Sequence, residues 1–185
     1  KTKSRRSGRT RLKDRHWFVF LAFAVPAALM AIRILHLPGA DLLDRFLPDI
    51  LARFAQRRQF HALRDAEGRP LEYIVDMLEA WQQGETSSPA HGRFILRHLG
   101  EYTLFMSGIF RERLMARGEL DYYLAHGRSA YWRCADGELN PRQRQVYWHL
   151  HQDFGRISNT LDNMRREQFP LPPSADNMLT AFWRV

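Results

Sequence analysis

The chain has 185 residues, enough for one domain of about 140 residues and an extension. Hydrophobic residues make up 45% and charged residues 26%, which excludes both a disordered tail and a polytopic membrane protein. One cysteine, Cys134, excludes an internal disulfide and any multi-cysteine metal site. The net charge of +8 is unevenly spread. Residues 1–16 hold eight Lys and Arg against Asp14, or +7, while the other 169 residues hold 20 basic and 19 acidic side chains. The folded part is therefore nearly neutral, so nucleic acid can be a partner only of residues 1–16.

The basic tail precedes an apolar run. Trp17 to Ile32 is free of charge, and Arg33 is followed by Ile34, Leu35 and Leu37. As a helix the 21 residues 17–37 would be ~31 Å long, against a hydrocarbon thickness of ~30 Å. Arg33 lies near one end, where it can snorkel, and Trp17 at the other, where amphipathic rings are favoured. Pro26 predicts a kink. The run reads as a retained transmembrane anchor. Two alternatives stay open: a signal peptide cleaved near Val25-Pro26-Ala27, and a core helix of a soluble domain. Against the latter, the run is apolar on every face, whereas a surface helix of so small a domain should show a polar stripe. The basic N-terminal flank predicts a bacterial inner-membrane protein with its N-terminus in the cytoplasm and its main domain in the periplasm. Arg5, Arg6, Arg9, Arg11, Lys13, Arg15 and Trp17 are the candidate contacts to anionic lipid headgroups or a partner. The alternative for the tail is a topology signal without fixed structure.

After the turn at Leu37-Pro38-Gly39, helical spacing continues from residue 41 to 168. A short helix is expected at Asp41–Phe46, and a second from Asp49 to about Arg64, closed by the turn Asp65–Pro70. Leu71, Ile74, Val75, Leu78 and Trp81 form an amphipathic stripe that Gly84 should end. Residues 85–93 (ETSSPAHGR) read as an exposed loop. A strongly apolar helix then spans about Gly92 to Arg117. Its Ile95, Leu99, Tyr102, Met106 and Ile109 form one stripe, and Gly100, Thr103 and Ser107 form a second face of small residues. Gly108 is a candidate bend and Gly118 a candidate C-cap. Leu120, Tyr123, Leu124, Gly127, Ala130, Tyr131 and Cys134 mark the next helix. Asn140 and Pro141 should open the last one. Its Tyr147, Leu150, Phe154, Ile157, Leu161 and Met164 make a heptad-type seam. Residues 169–185 read as a proline-rich strut and an apolar tail, in which Phe182 and Trp183 should dock onto the body or a partner. With no period-two segment, the expected fold is all-α: an irregular bundle of about six helices preceded by one transmembrane helix.

The segment His98-Leu-Gly-Glu-Tyr-Thr-Leu-Phe-Met-Ser-Gly108 resembles a group of uncharacterised bacterial helical proteins. They share a His-x-Gly-acidic-aromatic-Thr-Leu-Phe-x-x-Gly pattern. Phe60–Glu72 and Gly127-Arg-Ser-Ala-Tyr131 are similar to further parts of that group. The likeness covers roughly residues 47–165 and leaves out the tail and anchor. It implies a shared helical module and no activity.

Chemistry-bearing residues are few. His98 and Glu101 lie three apart, and His149 and Asp153 four apart, so two facing helices would bring four metal-ligating types together. The structural alternative is a buried His98 hydrogen-bonded to an acidic side chain, fixing the helix packing. Ser129, close to His126, lies within a helix with no elbow turn, unlike an activated nucleophile. No cofactor and no catalytic residue is assigned. The expected role is an accessory or scaffold subunit of an integral membrane protein complex. The alternatives are a membrane-bound metalloenzyme or cofactor protein, and RNA or ribosome binding through residues 1–16.

Overall fold

The computed structural model describes residues 46–50, 53–54, 62–65 and 68–168. The tail, the apolar run and the C-terminal segment with Phe182 and Trp183 lie outside the described residues. Among the described residues the protein is all-α, and no helix is long and apolar enough to cross a membrane. The helices are α1 (Ile74–Ser87), α2 (Pro89–Ile109), α3 (Arg111–Ala116), α4 (Leu120–Asp136) and α5 (Pro141–Gln168). Residues 46–50 and 53–54 are helical as well.

α2 occupies the middle, packed against α1, α4 and α5. From His98 to Ile109 every one of its residues is buried. This explains why its sequence is apolar or small on more than one face: a helix with neighbours on three sides has no solvent stripe. Small residues set how close those neighbours come. A Cβ on Gly127 of α4 would lie 2.2 Å from Cζ of Phe154 and 2.5 Å from Oγ1 of Thr103. One on Gly108 would lie 2.7 Å from Cβ of Leu161, and one on Gly100 would meet the Tyr131 ring at 3.1 Å. The second face read from Gly100, Thr103 and Ser107 is thus the face on which α4 and α5 sit. Ser158 of α5 donates a hydrogen bond to Ser107 (3.0 Å) and receives one from Arg111 (3.1 Å), which ties the small-residue face to α3.

Several ends follow their capping residues. Asn140 Oδ1 accepts the amides of Arg142 and Gln143 at 3.0 and 3.4 Å, with Pro141 next to it. Gly118, at φ +68°, closes α3: its amide bonds Met115 O and that of Glu119 bonds Leu114 O. The six seam residues of α5 are all buried. The turn at 65–70 is present, with Gly68 at φ +79° and the Asp65 carboxylate accepting the Arg69 amide at 2.7 Å. One isolated antiparallel bridge, Arg64 with Pro70, closes it.

Five expectations are corrected. Residues 85–93 are not a loop: α1 runs to Ser87 and α2 starts at Pro89, so only Ser88 is non-helical. Extended Ser88 accepts the His91 amide through Oγ and proline suits the first turn, so one residue suffices to reverse the chain. Gly84 does not end its helix. It is where α2 approaches closely, with His91 Cδ2 and Ile95 Cδ1 at 3.0 and 3.1 Å from an added Cβ. The inward stripe of α1 is Ile74, Met77, Leu78 and Trp81, whereas Val75 is 61% exposed, because the helix begins after Tyr73 and leaves Leu71 outside. Residues 62–65 are not helical, so the helix expected to reach about Arg64 does not extend that far. The long helix also ends at Ile109 with a break at Phe110, not at Arg117.

At Gly127 even one methyl has no room. Gly127→Ala should destabilise the fold by about 1–3 kcal/mol through overpacking against Phe154 and Thr103. Gly155→Ala on α5, which meets nothing within 4 Å, should instead stabilise by up to ~1 kcal/mol from helix propensity. Urea unfolding midpoints of the two variants provide the check.

Candidate functional site

The middle of α2 carries the groups with the most unusual surroundings. Glu101 is 2% exposed, on a helix that also buries His98. Its Oε1 accepts from Arg53 Nη2 at 2.7 Å and pairs with Arg97 Nε at 3.2 Å. Arg97 lies one turn earlier on the same helix, and Arg53 comes from the N-terminal helical segment. Burial raises the Glu101 pKa above the usual carboxylate range, and the two guanidinium charges offset part of that rise. His98 lies among rings, with centroids of Phe54 at 5.2 Å and of Phe94 and Tyr102 at 6.5 Å.

These side chains line a pocket of about 80 Å³, formed by Arg53, Phe54, Ala62, Phe94, Arg97, His98 and Glu101. That is room for a few waters or one small ion, well below the ~300–1,000 Å³ of sites that enclose a larger organic ligand. The chemistry on offer is charge pairing: a carboxylate between two partly exposed arginines. The pairing fixes the N-terminal segment against α2.

The other pair sits elsewhere. His149 and Asp153 are half-buried on α5, and Asp153 pairs with Arg156 at 3.3 Å. No three His, Cys, Asp or Glu side chains that could hold a metal come together among the described residues. A second ionic cluster lies at the opposite end of the bundle. There Asp162 bonds Arg165 (3.0 Å) and Arg166 (2.8 Å), and Arg165 reaches Glu112 of α3 at 3.1 Å. Sequence reasoning singled out His98 and Glu101 but missed both arginines. Arg97 was readable, since it stands four residues before Glu101 on one helix. Arg53, 48 residues away, carries no sequence signal of the contact.

Tyr131 fills the centre of the bundle, fully buried, between Tyr147 and Phe154 at ring centroid distances of 6.1 and 6.0 Å. Near it is Cys134, whose thiol burial pushes up to about 12. At neutral pH it is a buried, protonated packing residue and a poor nucleophile.

No protein-family model, curated protein or solved structure matches the chain.

Glu101 gives the pocket a pH signature. Its folded pKa is raised, so the folded state holds this proton more tightly than the unfolded one. Its contribution to stability should therefore fall as pH rises from the ordinary glutamate value of 4.5 through the raised value. The difference in unfolding free energy between wild type and Glu101→Gln should change across that window and level off above it. A pH series of urea titrations on both proteins measures that difference, and a flat difference would contradict the assignment.

Proposed function

We propose that this protein is a membrane-anchored accessory subunit. In this reading residues 17–37 cross the bacterial inner membrane, the helical body lies on the periplasmic side, and the protein works by packing against an integral membrane complex. The observation that carries the reading is the 21-residue apolar stretch behind eight basic residues, in a chain whose remaining charge is nearly balanced.

The body supports the same reading. Its interior polar groups pair with one another across helices: Glu101 with Arg53 and Arg97, Ser107 with Ser158, and Asp162 with Arg165. Such pairs make one helix arrangement preferable to its alternatives. Large apolar side chains remain on the outside, among them Trp132, Leu139 and Trp148. The His98–Gly108 segment, which carries the resemblance to other helical proteins, is the buried C-terminal half of α2. That favours a packing signature over a reactive one. Ala22, Ala24, Ala27, Ala28 and Ala31 would let a partner's helices come close within the membrane.

The full chain should stay with the membrane pellet after an alkaline carbonate wash. Mild detergent should extract it with a fixed ratio of an integral membrane protein. Replacing Ala24, Ala27, Ala28 and Ala31 by leucine should preserve the anchoring and abolish the co-extraction. Release of the wild-type chain into the supernatant would end the reading.

A further inference from the structure

Phe46 is the first of the described residues, and its ring packs edge-on against Tyr147 of α5 with centroids 6.0 Å apart. Residue 46 is nine steps along the chain from Leu37, a reach of at most ~32 Å when fully extended. Any membrane holding residues 17–37 therefore lies within ~32 Å of Phe46.

Tyr147 lies near one end of the bundle, six residues into α5. α4 and α5 are antiparallel and joined by the short turn 137–140. Their register is fixed by the His151 Nδ1–H bond to Arg128 O (3.0 Å) and by the Gly127–Phe154 contact. In this register Trp132 and Trp148 stand at the same height on the two helices, each eight residues from Asn140. They are 45% and 43% exposed, and Leu139 in the turn is 88% exposed. The Arg133 guanidinium lies 4.6 Å from the centre of the Trp81 ring and 6.0 Å from that of Trp132. Arg142 and Arg144 follow the turn, and both are exposed. Of the acidic groups here, Glu138 accepts the Asn140 amide at 3.0 Å, and Asp136 is exposed.

We infer that the α4–α5 turn end of the body rests on the lipid headgroup layer of the bilayer that the anchor spans, with Leu139, Trp132 and Trp148 as its apolar contacts and Arg133, Arg142 and Arg144 on anionic headgroups. Indole rings with one apolar and one polar edge favour that layer, and arginine beside them binds lipid phosphate. The inference rests on the anchor reading above. It adds which face of the body meets the membrane.

Site-specific labelling tests it on the full chain. Cys134 is buried and protonated at neutral pH, so one cysteine introduced at an exposed site takes the label selectively. Leu139→Cys probes the turn end. Met115→Cys, 56% exposed, probes the opposite end, about 25 Å away along the 17-residue α4. Each is labelled with a polarity-sensitive fluorophore and reconstituted in phosphatidylcholine–phosphatidylglycerol vesicles carrying a headgroup-level nitroxide quencher. The label at 139 should shift to the blue and be quenched severalfold more than that at 115. Replacing Arg142 and Arg144 by glutamate should weaken the difference. Equal, weak quenching at 139 and 115 in protein that floats with the vesicles would overturn this inference alone. Protein that fails to float would overturn the anchor reading and this inference with it.

Discussion

Everything in this fold depends on how closely α4 and α5 can approach α2. Gly127, Thr103 and Phe154 meet at a point where no methyl fits, and Gly108 leaves equally little room beside Leu161. These contacts allow the rings of Tyr131, Tyr147 and Phe154 to pack together between the helices. From His98 to Ile109 α2 is enclosed and cannot present charge to solvent, so the polar groups of that stretch must find partners inside the protein. Ser107 takes Ser158, Thr103 turns its hydroxyl back to the Leu99 and Gly100 carbonyls, and Glu101 takes two arginines.

This constraint has two consequences for function. The charged groups of α2 are held as packing partners, in a pocket too small for anything beyond a few waters or one ion. The outer helices, in contrast, carry exposed aromatic and cationic side chains around the α4–α5 turn. The polarity of the molecule therefore runs from a tightly paired interior to an outer surface suited to lipid or protein. Membrane anchoring is a proposal from residues 17–37.

Much of the bundle was legible because period alone determines it. The α5 seam from Tyr147 to Met164 steps by three and four, and its Asn-Pro start leaves no ambiguity. The stripe of α2 was equally plain. The misreadings have one common cause. Gly84 and the polar run 85–93 look like loop chemistry, yet the chain reverses at Ser88 alone, since a glycine is also what a close helix contact requires. Val75 fits a helical stripe only if Leu71 belongs to the same helix, and Met77 takes the buried place once the helix starts at Ile74. The Glu101 site was half legible: its burial followed from the α2 pattern, while Arg53 reaches it through tertiary structure that no local spacing encodes.

Native-state hydrogen exchange on the full chain tests most directly whether α2 holds the body together. The account predicts that amides from Leu99 to Gly108 exchange only through global unfolding, at the free energy given by urea denaturation, while those of α1 and α3 exchange through smaller openings. Exchange of the α2 amides at a free energy well below the global value, with the outer helices still protected, would contradict it.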